Sequence, residues 1–168
     1  MGFLHRHHDV TRYRMREKLF AIGEDFWIET EGGDRAFKVD GEALRVRDTF
    51  VLKDADGEDL FKAQAKMLHI RDTMEIEHDG DRAATIKKAL ITPLRDRFSI
   101  QLADGTELKA HGNILDHEYK IERDGDTVAE VSKRWFRVRE TYGIEIAGGE
   151  DAALVLAIAA CVDEMGPR

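Results

Sequence analysis

Cationic side chains alternate along one short stretch near the start of the chain. Arg12, Arg14, Arg16 and Lys18 are spaced two residues apart, and residues two apart share one face of a β-strand. Arginine and lysine on a common face can hold phosphate groups through charge-assisted hydrogen bonds. The spacing therefore predicts an anion-binding strand face, and the alternative interpretation is an ordinary solvated face.

A second cluster mixes cations with aromatic rings. Its members are Lys133, Arg134, Trp135, Phe136, Arg137, Val138 and Arg139. This composition is typical of surfaces that meet anionic lipid headgroups, although packing is the alternative role for Trp135 and Phe136. If the two clusters adjoin, we expect a headgroup site built from Arg12, Arg14, Arg16, Lys18, Lys133, Arg134, Arg137 and Arg139.

Residue patterns that signal catalysis are missing. The two serines, Ser99 and Ser132, are outside any Gly-x-Ser-x-Gly turn, and there is no His-Glu-x-x-His or glycine-rich phosphate loop. Cys161 is the single cysteine and lies within an apolar run, so we expect neither a disulfide nor a reactive thiol. The sequence predicts a protein that is not an enzyme and holds no cofactor.

Two segments could bind metal ions through their side chains. The acidic turn at residues 54–59 offers oxygen ligands, but it lacks the length and the closing glutamate of a calcium-binding EF-hand loop. His5, His7 and His8 would need further histidines to converge on them. We interpret the first segment as a hairpin turn and residues 1–10 as a flexible tail.

Length and charge restrict the class of protein. The chain has 168 residues, enough for one domain (residues 11–168) with a substantial core. Acidic residues outnumber basic ones 34 to 26, and the net charge of −8 argues against nucleic-acid binding. The N-terminus has no apolar signal core, so we expect a cytoplasmic protein, with attachment to the membrane surface as a further option.

Hairpin-like segments recur along the chain. An acidic residue, an alternating strand, an Asp-Gly turn and a second strand occupy residues 48–57, 72–80, 96–105 and 116–125, with weaker copies at 25–33 and 140–148. Asp-Gly between alternating runs favours a two-residue type I′ turn, in which both central residues have positive φ. Six hairpins predict about twelve strands, and so many strands either form two packed sheets or close into a barrel.

An apolar segment at residues 152–162 decides between these two architectures. Its five alanines favour a helix, predicted at 150–164, over the alternative of a buried strand. At 11 residues it is about 16 Å long, too short to cross a bilayer. A helix that is apolar on all sides must be surrounded. We therefore predict a mainly β protein, a closed antiparallel barrel around a central C-terminal helix.

The chain resembles the LURP-one-related family, part of the tubby C-terminal-like superfamily that includes the phospholipid scramblases. The resemblance rests on residues 13–26 and 37–44, on the Arg-Asp-Thr phrases at 47–49 and 71–73, and on the terminal apolar segment. It covers nearly the whole chain from residue 11. The resemblance implies a twelve-stranded barrel around a hydrophobic helix. It also suggests a role at membranes, but this chain has no phosphoinositide motif and no palmitoylated cysteine segment.

A barrel interior occupied by a helix leaves recognition to the outer wall or a rim. We therefore expect a binding module whose outer wall meets an anionic lipid headgroup or membrane surface. The alternative is a protein-interaction or structural module without a lipid role, and the third option is an enzyme with a rim site.

Overall fold

Twelve strands and one helix make up the described part of the chain. The computed structural model describes residues 10–17, 25–40, 49–65, 73–89, 96–136 and 138–166. The strands are β1 (Val10–Arg16), β2 (Phe26–Thr30), β3 (Arg35–Val39), β4 (Thr49–Asp54), β5 (Asp59–Ala65), β6 (Thr73–His78), β7 (Asp81–Lys88), β8 (Asp96–Leu102), β9 (Glu107–Asn113), β10 (Glu118–Arg123), β11 (Asp126–Ser132) and β12 (Thr141–Ala147). Helix α1 (Ala152–Met165) follows β12.

The sheet is a closed antiparallel barrel. Each strand pairs with its neighbours in sequence, and β1 pairs with β12 from Val10 opposite Ala147 to Arg16 opposite Thr141. Closure satisfies the backbone hydrogen bonds that an edge strand would leave open. The predicted mainly β barrel around a C-terminal helix is confirmed.

Alternation along the strands sends one set of side chains inward around α1. Phe50, Ile86 and Ile100 are fully buried in the wall, and the helix residues from 155 to 162 are at most 3% exposed. Burying a side chain of this size stabilises the fold by roughly 1.5–3 kcal/mol relative to leaving it in water. The helix and the inner faces of the strands therefore form one core.

Helix α1 starts two residues later than predicted. Asp151 lies just outside it, and its carboxylate accepts a hydrogen bond from the N–H of Leu154. The helix ends at Met165, where the N–H of Gly166 donates to the carbonyl of Val162. Ala152 and Leu154 are half-buried, so the first turn is less enclosed than the rest.

The antiparallel order separates the connections into two ends. The turn end carries the short connections after β2, β4, β6, β8, β10 and β12, and the loop end carries those after β1, β3, β5, β7, β9 and β11. Helix α1 enters at the turn end and runs to the loop end, where the side chain of Ile114 lies against Gly166.

The Asp-Gly turns fall into two types. Asp79-Gly80 and Asp124-Gly125 have positive φ at both residues, as a type I′ turn requires. At Gly57 and Gly105 only the glycine has positive φ, so the type I′ prediction is wrong there. In both of these turns an aspartate side chain accepts backbone N–H groups, Asp54 from two and Asp104 from one, which stabilises a longer turn.

Parts of the sequence prediction lie outside the described residues. These are residues 1–9 of the predicted tail, which include its three histidines. Val10, the last residue of the predicted tail, belongs to β1.

Candidate functional site

The predicted cationic face lies on the outside of β1. Tyr13 and Met15 point into the core, and Arg12, Arg14 and Arg16 alternate with them on the outer wall. Lys18, the fourth predicted member, lies outside the described residues.

Carboxylates on the flanking strands meet these arginines. Arg12 Nε lies 2.8 Å from Glu145 Oε2 on β12, and Arg14 Nη2 lies 2.5 Å from Glu29 Oε2 on β2. Arg16 contacts the carboxylate of Glu140 more loosely, at 3.9 Å. The hydrogen bond to Glu145 is the main cause of a raised pKa for Arg12. The face is therefore a row of cross-strand ion pairs rather than a run of bare cations.

The second cluster lies in the connection between β11 and β12 and adjoins the first. The guanidinium of Arg12 lies 4.8 Å from the centre of the Trp135 ring, a cation–π contact. A Cβ built on Gly143 of β12 would come within 2.9 Å of both Trp135 and Phe136, so these rings lie directly on the strand. The two predicted clusters thus form one surface, and its aromatic members pack on the wall.

Most cations of the second cluster also have acidic partners. Lys133 Nζ lies 2.7 Å from Glu17, which follows β1, and Arg134 lies 3.4 Å from Glu130. Arg139 is exposed and forms no ion pair with any described residue. Arg137 lies outside the described residues. The structure brings the candidate residues together, and their anion binding stays a prediction.

Exposed apolar side chains mark the loop end near this surface. Leu115, between β9 and β10, is 55% exposed, and Val138, between β11 and β12, is 49% exposed. Lys133 and Arg139 belong to the same connection as Val138. Apolar tips beside cations are typical of surfaces that insert into the headgroup region of a membrane.

The turn end is acidic. Its exposed or half-buried carboxylates belong to Asp54, Asp56, Glu58, Asp59, Asp79, Asp81, Asp104, Asp124, Asp126, Glu150 and Asp151. Arg123, one of the few cations there, is held by both oxygens of Glu150 at 2.7 and 3.2 Å. The turn end is therefore strongly acidic, whereas the described part of the loop end mixes cations with carboxylates such as Asp116 and Glu140.

A concave surface of about 580 Å³ on the outer wall spans β8 to β10. Its cations Arg97 and Lys109 face the carboxylates of Glu107, Glu122 and Asp124. The three carboxylates outnumber the two cations on this surface, so it shows no preference for an anion.

A buried polar cluster lies where α1 reaches the loop end. The His117 ring stacks 4.4 Å from the Tyr142 ring, and its Nε2 lies 2.6 Å from Asp163 Oδ1 on the helix. Among the described residues, the buried hydroxyls of Tyr119 and Tyr142 have no hydrogen-bond partner, and the two ring nitrogens of His117 have none with hydrogen-bond geometry. The sequence did not reveal this cluster, because its members are distant in sequence and only the barrel register brings them together.

Two opposing effects act on the charge of His117. Burial favours a neutral imidazole, and the surrounding carboxylates, Glu17 first among them, favour a charged one. Desolvation is the larger effect and lowers the pKa of His117 to about 4.

Among the described residues no three side chains are arranged to hold a metal ion, and the acidic turn at 54–59 is a hairpin turn.

The architecture, a twelve-stranded antiparallel barrel closed around its own C-terminal helix with an external candidate surface, defines the class of protein. The chain belongs to the LURP-one-related family, whose model matches residues 11–163.

Two known proteins are similar to this chain. The uncharacterized protein YxjI of Bacillus subtilis (strain 168) is 27% identical over 150 residues, covering 89% of this chain and 90% of the relative. An X-ray structure of a protein from Arabidopsis thaliana matches with a TM-score of 0.67 and 14% identity, over 93% of this chain and 91% of that one. The likeness to the Arabidopsis structure shows the fold alone.

None of the described helical segments is long and apolar enough to cross a bilayer.

Proposed function

We propose that this protein is a non-enzymatic binding module that attaches to membranes containing anionic phospholipids. The contact surface consists of the outer wall around β1 and β12 together with the adjoining loop end. The proposal extends to a cytoplasmic location, which suits the unpaired Cys161 thiol.

The observation that carries the proposal is the contrast between the two ends of the barrel. Leu115 and Val138 are exposed beside Lys133 and Arg139 at the loop end, and carboxylates crowd the turn end. An anionic membrane attracts the first end by about 1 kcal/mol per nearby cation and repels the second. The charge distribution supports docking in one orientation.

The ion pairs on β1 do not prevent headgroup binding. The side chains of Arg14 and Arg16 are 30% and 38% exposed, and those of Glu29 and Glu140 are 25% and 62% exposed. Exposed pairs of this kind contribute only about 0–1 kcal/mol each. A phosphate can therefore compete for the arginines. Trp135 supplies an amphipathic ring at the same surface.

Enzymatic action is not part of the proposal because the barrel interior is filled. The central residues of α1, including Leu156 and Ile158, are fully buried against the wall. In the described part of the chain the helix thus occupies the space that wider barrels leave for a ligand, and this favours binding on the outer surface.

Vesicle flotation tests the apolar part of the surface. We expect the protein to float with phosphatidylcholine vesicles containing phosphatidylserine and to stay unbound with phosphatidylcholine alone. The double variant Leu115→Asp, Val138→Asp should lose at least about tenfold in partitioning. Ala55→Asp with Ala103→Asp is the matched control, because both alanines are exposed in connections of the turn end that lie away from β1 and β12.

Charge reversal tests the cationic part. Arg14→Glu with Arg16→Glu should also reduce flotation, and added salt should weaken the binding of the wild-type protein by screening. Equal partitioning onto neutral and anionic vesicles, or an equal loss in the Ala55→Asp, Ala103→Asp control, would overturn the proposal. The alternative function is a module that binds a protein partner. An apolar groove at the turn end supports this alternative.

A further inference from the structure

A groove of about 450 Å³ opens at the turn end, where α1 enters the barrel. Its floor is apolar and includes Leu60 of β5, Leu102 of β8 and Leu154 of α1. All three leucines are half-buried, unlike the enclosed Leu156 two residues further along the helix. The groove exists because the first turn of α1 is only partly covered by the wall.

Carboxylates surround this apolar floor. Asp104 and Asp151 line the groove, and neither forms an ion pair with a described residue. Each instead accepts a backbone hydrogen bond, Asp104 from Thr106 and Asp151 from Leu154. These hydrogen bonds fix the carboxylates in place, and Arg123 attracts Asp104 without forming an ion pair with it.

His78 lies in the same acidic surroundings, and its pKa is raised. Its Nδ1 lies 2.7 Å from the carbonyl oxygen of Leu60, and its Nε2 lies 3.3 Å from Asp79. The contact with the Leu60 carbonyl raises the pKa of His78 most, and Asp79, Asp151 and Asp81 raise it further. The nearest arginine, Arg123, is already held by Glu150.

We propose that this groove binds a cationic amphipathic segment of a partner protein. Apolar side chains of the partner at helical spacing would occupy the leucine floor, and its Lys or Arg residues would face Asp104 and Asp151. Helix-in-groove recognition uses this combination of an apolar stripe and flanking charges. The proposal goes beyond membrane attachment, because the groove and the membrane-binding surface lie at opposite ends of the barrel.

Charge complementarity selects this partner over the other candidates. An anionic membrane would be repelled by Asp79, Asp81, Asp104 and Asp151, and so would the acidic turn end of a second copy of this chain. A basic amphipathic peptide satisfies both the apolar floor and the acidic rim. A barrel attached to a membrane by its loop end would present this groove to the cytoplasm.

Fluorescence anisotropy with a labelled model peptide tests the proposal on the full chain. The probe is a synthetic amphipathic helix of leucine and lysine, and the comparison peptide carries glutamate in place of every lysine. We expect saturable binding of the first peptide alone. Asp104→Asn with Asp151→Asn should weaken it at least about tenfold, because both variants keep the hydrogen-bond acceptor and remove the charge.

The matched control is Asp56→Asn with Asp126→Asn, which makes the same change of net charge at neighbouring turns of the same end. We expect nearly unchanged affinity there and weakened affinity in Leu154→Ala, with circular dichroism and a denaturation curve verifying that each variant is folded. Equal weakening in both double variants would mean that the peptide is held only by general attraction to the acidic turn end, and this result would overturn the proposal. Binding of the glutamate peptide, no binding of the lysine peptide, or light scattering that shows a dimer formed through this end would also overturn it.

Discussion

His117 makes the free energy of unfolding depend on pH. It is 6% exposed, in a left-handed backbone conformation with φ of 52°, and burial lowers its pKa from 6.5 to about 4. The unfolded chain therefore binds a proton between these two values that the folded chain does not bind. Stability should fall as the pH drops from about 6.5 towards 4 and should be insensitive to His117 above this window.

His117→Asn tests this coupling. Asparagine tolerates the left-handed conformation and does not titrate. Between about pH 7.5 and pH 5 the wild-type protein should lose roughly 2 kcal/mol more than the variant in free energy of unfolding, measured by urea denaturation at each pH. An equal loss in both proteins would show that the pH dependence comes from groups other than His117.

The outward direction of the β1 arginines was predictable from the sequence, but their partners were not. Period-two spacing places Arg12 and Arg14 opposite Tyr13 and Met15 in any strand. Glu145 lies 133 residues from Arg12, and no local rule pairs them before the barrel register is known. The register therefore decides between an open cationic face and a row of ion pairs.

At the scale of elements, the connection between β11 and β12 shows why a basic aromatic sequence need not be an exposed site. Trp135 and Phe136 lie on Gly143 of β12, where the missing side chain makes room for the two rings. The sequence alone left two roles open for these rings, contact with a membrane and packing on the wall. The glycine that accommodates the rings is in another element, which sequence spacing does not connect to them.

Gly143→Ala should displace this segment. The new Cβ would lie 2.9 Å from both rings, and overpacking of this kind costs typically about 1–3 kcal/mol. In a Trp27→Phe background, which leaves Trp135 as the only tryptophan, the emission spectrum should shift as the ring leaves Arg12. Gly32→Ala is the control, because its Cβ would meet nothing closer than 3.8 Å. Equal effects of the two alanines on stability and emission would contradict this packing.

At the scale of the whole molecule, the barrel could be predicted because two independent patterns agreed. Asp-Gly turns marked the hairpins, and the apolar segment at 152–162 required enclosure on all sides. The separation into an acidic turn end and a loop end with exposed Leu115 and Val138 follows from strand order. The groove depends on where the wall stops covering α1, which no periodicity encodes.

Cys161 makes the opening of the whole barrel measurable. The thiol is fully buried on α1, and burial raises its pKa, so the folded protein should resist thiol reagents. We expect the free energy of opening from native-state labelling to equal the free energy of global unfolding from urea within about 1 kcal/mol. A markedly lower opening energy would mean that α1 leaves the barrel without unfolding the wall.

Pairing of β1 with β12 also constrains how the protein is made. The first strand leaves the ribosome long before its neighbour has been translated, and α1 comes later still. Nascent hairpins therefore expose their inner faces with nothing to cover them, a state that is prone to aggregation. We expect the cellular yield of this protein to depend on chaperones that hold such chains until translation is complete.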